Sequence, residues 1–287
     1  MSKRAVLQKL HNYTVLTRIH RPIGTLLLLW PTLWALWIAG QGSPDLWIVV
    51  LFIIGTFLTR SAGCVINDYA DREFDSQVER TKDRPLATGK VTKKEALILF
   101  SLIMLCAFAL VLLLNSLTIA LAIVAAVIAM FYPYSKRFFL MPQLVLGVAF
   151  AWGIPMAFAA ITHQVPPVAW LLFAATLCWI VAYDTIYAMM DRGDDLRIGI
   201  HSSAILFANY DCLIVAIFQV LTLVLLLLLA VIMDLSGIYY LILSIASLSF
   251  IYQQKLIRRR RTQDYYRSFI HNNYFGLLIF INFVLTI

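Results

Sequence analysis

The feature that most constrains this chain is a series of apolar stretches, each long enough to cross a bilayer, separated by short polar segments. A membrane-spanning helix needs roughly 20 predominantly apolar residues. With 62% hydrophobic and 13% charged residues, the chain lacks the polar surface of a water-soluble fold. The sequence therefore predicts an all-α polytopic integral membrane bundle, with residues 1–287 forming a single domain.

Nine transmembrane helices are predicted from the apolar stretches and the turn residues between them. Their expected positions are about 22–40, 46–68, 95–114, 117–133, 141–161, 167–190, 210–230, 236–253 and 269–287. The four longer, charged connections are expected to be loops, at about 71–94, 134–140, 191–209 and 254–267.

Lysine and arginine are confined to one set of connections. The short connections at 41–45, 115–116, 162–167 and 234–237 carry none, while the N-terminal segment and the longer connections hold all of them except Arg60. Cytoplasmic loops of membrane proteins are enriched in Lys and Arg. The pattern predicts a cytoplasmic N-terminus and cytoplasmic long loops and, with nine spans, a C-terminus on the other side.

Several features do not indicate a function by themselves. The net charge of +8 does not predict nucleic-acid binding, because no basic patch is interleaved with aromatic residues on a soluble face. The arginines at 258–261 are explained by the need to hold their loop inside, against anionic lipid. The first 17 residues lack the apolar core of a cleaved signal peptide. No disulfides are predicted among the scattered cysteines, which are Cys64, Cys106, Cys178 and Cys212.

A first polar cluster follows the second predicted span. On a helix, Asn67, Asp71 and Asp75 lie on one face over about 12 Å. Carboxylates four residues apart repel each other, and Mg²⁺ takes one or two carboxylates together with substrate phosphates. The spacing therefore predicts a magnesium site. The alternative is a solvated helix end whose acids pair with nearby cations, namely Arg72, Arg80 and Lys82.

A second cluster ends the sixth predicted span. Asp184, Asp191 and Asp195 again share one helical face, at i, i+7 and i+11. Asp184 lies within an apolar run, where an ionisable group is costly and indicates function. Both clusters are expected at the same membrane face, so one pocket could contain both and hold a diphosphate through magnesium ions.

Basic residues near the clusters are candidate partners for phosphate. Lys136, Arg137 and Arg84 could bind its oxygens, although membrane orientation explains these charges equally well. Arg60 lies about two turns deeper than the first cluster, where a membrane anchor is a poor explanation. It is interpreted as a binding residue for the carboxylate of an acceptor; the alternative is an internal ion pair with a cluster aspartate.

These motifs resemble those of the UbiA family of intramembrane prenyltransferases. The first has the family's NDxxDxxxD pattern, beginning at Asn67, and the second its YDxxYAxxDxxxD pattern, beginning at Tyr183. Further similar stretches are residues 21–34, 84–86, 132–137, 153–158 and 198–207. The stretch 21–34 is similar to the branch that prenylates 4-hydroxybenzoate. His201 departs from the lysine common in relatives and is left out of the predicted site.

The resemblance implies a Mg²⁺-dependent enzyme of ubiquinone biosynthesis. It would transfer a polyprenyl group, octaprenyl in the expected case, from the all-trans diphosphate to 4-hydroxybenzoate ortho to the hydroxyl, releasing diphosphate. Expected catalytic residues are Asp71, Asp75, Asp184, Asp191 and Asp195, with Asp191 or Asp184 taking the ring proton. Expected Mg²⁺ and diphosphate ligands are Asn67, Asp71, Asp75, Asp191 and Asp195. Expected substrate-binding residues are Arg21, Arg60, Asn67, Asp68, Arg84, Tyr134, Lys136, Arg137 and Tyr187, with Arg60 or Arg21 on the benzoate carboxylate.

The same resemblance implies a multi-pass protein of the bacterial inner membrane with its C-terminus in the periplasm. Its partners would be the bilayer and the two substrates, with other quinone-pathway enzymes as further candidates. A transporter with Asp184 and Arg60 along its path and a structural or assembly protein are the rival classes. Within the enzyme class, heme, a chlorophyll precursor or a naphthoate are alternative acceptors.

Overall fold

The computed structural model describes residues 3–287, and within that range it contains helices and no strands. The helices are α1 (Lys3–Leu16), α2 (Ile23–Ala39), α3 (Leu46–Asp75), α4 (Lys93–Val111), α5 (Ser116–Ser135), α6 (Pro142–Ala151), α7 (Gly153–Thr162), α8 (Pro167–Ile198), α9 (Ser203–Phe207), α10 (Asp211–Ile232), α11 (Gly237–Ile257) and α12 (Thr262–Thr286). A 3₁₀ turn, Ala208–Tyr210, joins α9 to α10.

Eight segments of the described chain are long and apolar enough to cross a membrane. They are α3, α4, α5, α6 with α7, α8, α9 with α10, α11 and α12. The remaining apolar helix, α2, has 17 residues, slightly short of a typical span. The all-α membrane bundle is confirmed, and the predicted count of nine helices is approximate.

Two helices extend well beyond their apolar parts. The predicted second span ended near 68 and the sixth near 190, but α3 continues to Asp75 and α8 to Ile198. The connections predicted at 71–94 and 191–209 therefore begin later than expected, because apolar character ends at the membrane border while backbone hydrogen bonding does not. Likewise only residues 258–261 separate α11 from α12. Because α3 and α8 continue beyond their apolar parts, Asp71, Asp75, Asp191 and Asp195 lie within helices.

The span made of α6 and α7 is broken in its middle. Pro155 has no N–H to continue the hydrogen-bond ladder, and its ring disfavours a straight helix. The regular helix is interrupted at Trp152 as a result. Just after the interruption, a Cβ on Gly153 would lie 2.5 Å from Thr32 Oγ1, so only glycine lets α7 lie this close to α2.

The best-packed part of the bundle lies where α2, α8 and α12 meet. The rings of Trp34 and Trp179 stack with centroids 5.3 Å apart. Their indole N–H groups donate to the Gly276 carbonyl at 3.0 Å and to Asn272 Oδ1 at 2.9 Å. Phe275 packs against Trp179 in the same cluster. Buried aromatic pairs with satisfied polar groups make the junction of α2, α8 and α12 a rigidly packed region.

On the opposite side, α4 and α5 bury few side chains. Ala96 and Ala107 are the buried residues of α4, and α5 buries Thr118, Pro133 and Ser135. Many of their large apolar side chains are exposed in the isolated chain. Such a surface is typical of helices that face lipid.

The connections without Lys or Arg and those rich in them lie at opposite ends of the bundle. Leu114, Val165 and Leu235 come from three connections without Lys or Arg and pack against one core cluster. The charged connections are linked by polar contacts among themselves: Arg80 pairs with Asp191, and the N–H of His201 donates to the carbonyl of Lys136. This separation matches the predicted alternation of the helices.

Candidate active site

A cavity of about 1030 Å³ runs from the charged end of the bundle into its apolar interior. Along α3 it is lined from Leu51 to Asp75, and Leu51 lies roughly 26 Å from Asp68 at 1.5 Å per residue. The other wall of the apolar part comes from α4 and α5, with lining residues that include Met104, Phe108, Val111, Ala122 and Ala126. The cavity thus joins a polar mouth to a long apolar chamber.

The first acidic face of α3 lines the mouth, and each of its carboxylates has a cationic partner. Lys136 Nζ donates to Asp71 Oδ2 at 2.7 Å, and Asn67 Nδ2 donates to the same oxygen at 3.1 Å. Asp75 accepts two hydrogen bonds from Arg84 Nη1, at 3.0 and 2.8 Å. Burial alone would lower the pKa of Lys136, but the Asp71 carboxylate and Tyr132 raise it above its usual value, so the ammonium stays charged.

Asp68 lies beside this face and is almost completely buried, with 1% of its surface exposed. Arg18 Nη2 lies 2.6 Å from its Oδ1, and Arg84 Nη1 lies 3.0 Å from the same atom. Arg84 therefore bridges Asp68 and Asp75. A carboxylate this buried is stable only when it is paired in this way.

The second acidic face belongs to α8. Asp184, Asp191 and Asp195 all line the cavity, as their spacing predicted. Arg80 donates to both oxygens of Asp191, with Nε 2.9 Å from Oδ1 and Nη2 2.5 Å from Oδ2, and its Cζ lies 4.8 Å from the centre of the Tyr187 ring. Burial opposes the charge of Arg80, but Tyr187 and Asp191 raise its pKa.

The connection at 76–92 brings the two acidic faces together. Its Arg84 holds α3, its Arg80 holds α8, and the N–H of Glu79 donates to Asp194 Oδ2 at 3.2 Å. Asp194 also pairs with Arg197 and does not line the cavity. Both predicted clusters therefore meet in one pocket. The alternative pairing of the first cluster with Arg80 is not observed, because Arg80 pairs with Asp191 of the second cluster.

The donors at the mouth suit a hard divalent cation that arrives with other ligands. No three His, Cys, Asp or Glu side chains within 3–287 are arranged to hold a metal ion alone. Asn67 Oδ1, however, is buried and accepts no hydrogen bond from this part of the chain. Mg²⁺ usually keeps waters and combines few carboxylates with substrate phosphates. The set therefore fits Mg²⁺ completed by water and a diphosphate.

Deeper in the cavity, Arg60 forms no ion pair within 4 Å with a carboxylate of the described chain. Its Nη1 lies 2.7 Å from Cys64 Sγ, its Cζ lies 5.9 Å from the centre of the Phe150 ring, and its buried Nε has no partner in residues 3–287. The internal ion pair considered for Arg60 is therefore not observed. A cation in this state is suited to bind an anionic group.

Comparison with known proteins identifies the family. Two curated relatives, each named 4-hydroxybenzoate octaprenyltransferase, are similar over nearly their whole length. The relative from Aeromonas salmonicida is 55% identical over 274 residues, covering 96% of this chain and 95% of its own. The one from Providencia stuartii is 52% identical over 286 residues, covering 100% and 99%. The model of the UbiA prenyltransferase family matches residues 28–283.

This chain belongs to the UbiA prenyltransferase family. Its fold is also that of solved UbiA homologs. The apo structure of the homolog from Aeropyrum pernix K1 has a TM-score of 0.79 at 24% identity and covers 91% of this chain and 97% of its own. The homolog from Archaeoglobus fulgidus bound to GPP and Mg²⁺ has a TM-score of 0.74 at 16% identity, covering 95% and 99%.

Most residues that were expected from the UbiA motifs line the cavity, but two do not. Tyr134 and Arg137 lie outside it. Arg137 Nη2 donates to the carbonyl of Ala70 at 3.1 Å, and its Cζ lies 5.5 Å from the ring centres of Phe74 and Tyr134. The guanidinium of Arg137 therefore stabilises the end of α3 and lies outside the cavity, so its geometry does not favour the predicted contact with substrate.

Sequence reasoning missed Arg18 and left out His201, and both line the cavity of this UbiA chain. Arg18 reaches Asp68 across 50 positions of sequence, and its neighbours in the chain carry no motif that could have revealed the pair. His201 was set aside because it replaces a lysine. Its position beside Lys136 depends on a backbone contact, which side-chain identity does not predict.

Proposed function

We propose that this UbiA protein transfers a polyprenyl group, octaprenyl in the expected case, from its all-trans diphosphate to 4-hydroxybenzoate. The new bond forms at the ring carbon ortho to the hydroxyl, and diphosphate is released. The proposal places the reaction in ubiquinone biosynthesis and the protein in the bacterial inner membrane, with residues 1–287 working as one domain. Other quinone-pathway enzymes remain candidate partners.

One observation carries this proposal: a single cavity combines a mouth of paired carboxylates and cations, an apolar chamber and, between them, Arg60 without an ion-pair partner in the described chain. A diphosphate head, a long hydrocarbon tail and an aromatic carboxylate need those three environments. The two relatives with more than half of their residues identical to this chain bear the name of an enzyme with these substrates.

At the mouth, Asn67, Asp71, Asp75, Asp191 and Asp195 would hold Mg²⁺ with the diphosphate. The ion supplies Lewis-acid stabilisation for the leaving group. With these carboxylates holding the metal ion, Lys136, Arg84 and Arg80 would be free to donate hydrogen bonds to phosphate oxygens. The allylic C–O bond then breaks with its electron pair going to the diphosphate, which these cations stabilise.

At the inner side of the mouth, Arg60 would bind the carboxylate of 4-hydroxybenzoate and turn the ring towards the allylic carbon, with Arg21 as the alternative. The ortho carbon supplies the electron pair of the new C–C bond. The ring proton then passes to Asp184 or Asp191, which lie on the same face of α8 and line the cavity. The apolar chamber holds the tail away from water.

The proposed orientation places the charged connections, and hence the mouth, in the cytoplasm. This follows from the positive-inside rule and agrees with a water-soluble acceptor and a lipid-borne donor meeting at the membrane edge. A cysteine introduced at exposed Lys90 should then react with an impermeant maleimide only in inverted vesicles, and one at exposed Gln41 only in intact cells.

The function is tested with purified protein in lipid nanodiscs, supplied with octaprenyl diphosphate, 4-hydroxybenzoate and Mg²⁺. Prenylated hydroxybenzoate should form without any ion gradient, and EDTA should stop it until Mg²⁺ is restored. Parallel reactions with a dihydroxynaphthoate or heme as acceptor should give little product. Absence of product from 4-hydroxybenzoate, or a preference for another acceptor, would overturn the proposal; gradient-driven uptake would favour a transporter.

A further inference from the structure

Gly24, near the start of α2, lies directly against the guanidinium of Arg60. A Cβ built on Gly24 would lie 2.6 Å from Arg60 Nη2, 2.9 Å from Nε and 3.2 Å from Cζ. Real Cβ atoms essentially never come closer than 3.0 Å to such neighbours. The present position of the guanidinium therefore depends on the absence of a side chain at residue 24.

The guanidinium is held by few other contacts. Apart from Cys64 Sγ at 2.7 Å and the distant face of Phe150, no polar group of the described chain fixes it, and its Nε lacks a partner. Both Gly24 and Arg60 line the cavity. Because so few contacts restrain the Arg60 guanidinium, its position is determined mainly by the space that neighbouring residues leave open.

We propose that Gly24 is a positioning residue that sets the place of the Arg60 guanidinium and thereby the affinity for the carboxylate of the aromatic acceptor. This deepens the proposed function and rests on it. Because glycine has no side chain, the guanidinium packs directly against the backbone of α2, and in this position the donors of Arg60 would reach the carboxylate of an acid of benzoate size. A methyl group would push them away.

A substitution at Gly24 should leave the fold intact. The atoms that a new Cβ would meet are the far end of a long side chain, not backbone. Alanine is also a better helix former than glycine. Gly24→Ala therefore moves the guanidinium without breaking the packing of α2. A substitution at Gly153 differs, because its neighbour is the short, buried side chain of Thr32, which has no room to move away.

The test is a double-mutant cycle of Gly24→Ala and Arg60→Met, with KM and kcat measured for 4-hydroxybenzoate at saturating octaprenyl diphosphate. Gly24→Ala should raise the acceptor KM about tenfold, since it weakens a hydrogen bond to a charged group, while the donor KM stays within about twofold. In the Arg60→Met background the same substitution should change the acceptor KM by less than about twofold, because the effects of coupled residues are not additive.

Equilibrium binding of 4-hydroxybenzoate to the nanodiscs, without donor, gives a readout independent of turnover and should show the same tenfold loss. Gly237→Ala, at the start of α11 with open space around its added Cβ, serves as control and should leave both constants unchanged. Equal effects of Gly24→Ala in both backgrounds, or an unchanged KM, overturn the inference while product formation by the wild type continues. Failure of the wild type to form product overturns the proposed function instead.

Discussion

Arg80 and Asp191, which lie 111 positions apart in the chain, form a bidentate ion pair. The pair fastens the connection after α3 to the second acidic face on α8. It also occupies the carboxylate that is proposed to bind Mg²⁺. Without ligand, therefore, the cation of Arg80 and a metal ion are alternatives for the same oxygens.

Arg80→Gln is expected to make the protein more responsive to Mg²⁺. Loss of the ion pair leaves Asp191 uncompensated and should destabilise the ligand-free protein by roughly 1 kcal/mol, a modest value because Arg80 is partly exposed. Mg²⁺ can replace the missing charge, so adding it should raise the melting temperature of the variant more than that of the wild type. Differential scanning fluorimetry in nanodiscs measures both values.

Lys82→Gln is the matched control in the same connection. It removes an ion pair with Glu79 in which both side chains are largely exposed, and such pairs contribute little. Its melting temperature and Mg²⁺ response should equal those of the wild type. A similar Mg²⁺ response in Arg80→Gln and Lys82→Gln would contradict competition at Asp191.

Asp71→Ala and Asp191→Ala should each reduce turnover at least about a hundredfold, because each removes an oxygen donor from the proposed diphosphate site. Both variants should still insert in the membrane, as shown by their yield in the purified membrane fraction. Initial rates with octaprenyl diphosphate and 4-hydroxybenzoate provide the measurement. Near-normal rates in either variant would remove that residue from the metal site.

Glu73→Ala is a suitable comparison for Asp71→Ala. Glu73 lies two positions further along α3, its side chain is 72% exposed, and it pairs with Arg72 outside the cavity. The variant should keep at least about half of the wild-type rate, since the Glu73 carboxylate is exposed and lies outside the cavity. A large loss would show that negative charge anywhere on this helix end matters.

The apolar chamber should determine which tails are accepted. Ala122 on α5 lines it, roughly 21 Å along the helix from Lys136 at the mouth. Ala122→Phe should cut kcat/KM for octaprenyl diphosphate about tenfold and leave geranyl diphosphate nearly unaffected, because only the long tail reaches this depth. Competition between the two donors, followed by mass spectrometry of the products, measures the ratio.

The neighbouring Ala120 controls for a large side chain on the same helix. It is exposed and does not line the cavity, so Ala120→Phe adds an aromatic ring towards the lipid. Its preference between the two donors should match that of the wild type. If Ala120→Phe and Ala122→Phe changed the preference equally, the tail would have to lie elsewhere.

Asp211 is expected to stabilise the charged end of the bundle. Its carboxylate is completely buried at the start of α10, and it accepts from Arg192 of α8 and from Arg260 beyond α11. Asp211→Asn removes the charge that both arginines share and should lower the melting temperature by several degrees. Asp234→Asn, in a connection at the other end, should leave it unchanged; equal losses would refute the special role of Asp211.

The sequence predicted the features of this molecule that depend on local patterns. Apolar length located the membrane helices, and the spacing of Asn67, Asp71 and Asp75 placed them on one face, because helical periodicity is a property of neighbouring residues. The second acidic face on α8 was predicted for the same reason. The meeting of the two faces followed from counting spans between them.

Contacts between distant parts of the chain were not predictable in the same way. Nothing near Arg18 indicates Asp68, and nothing near Arg137 indicates that Phe74 and Tyr134 hold its guanidinium away from the cavity. The lengths of α3 and α8 were also underestimated. Hydropathy reports where lipid ends, whereas a helix continues for as long as its backbone hydrogen bonds find partners.

The difference in packing between the two sides of the bundle has a mechanical consequence. Where α2, α8 and α12 meet, stacked indole rings with satisfied N–H groups resist displacement, so the helix that carries the second acidic face is held rigidly. Along the chamber, α4 packs against α3 but makes few contacts with α5, so separating α4 from α5 would break little protein–protein packing. The proposed octaprenyl tail, already dissolved in the bilayer, would therefore enter sideways between α4 and α5 while the aspartates keep their positions.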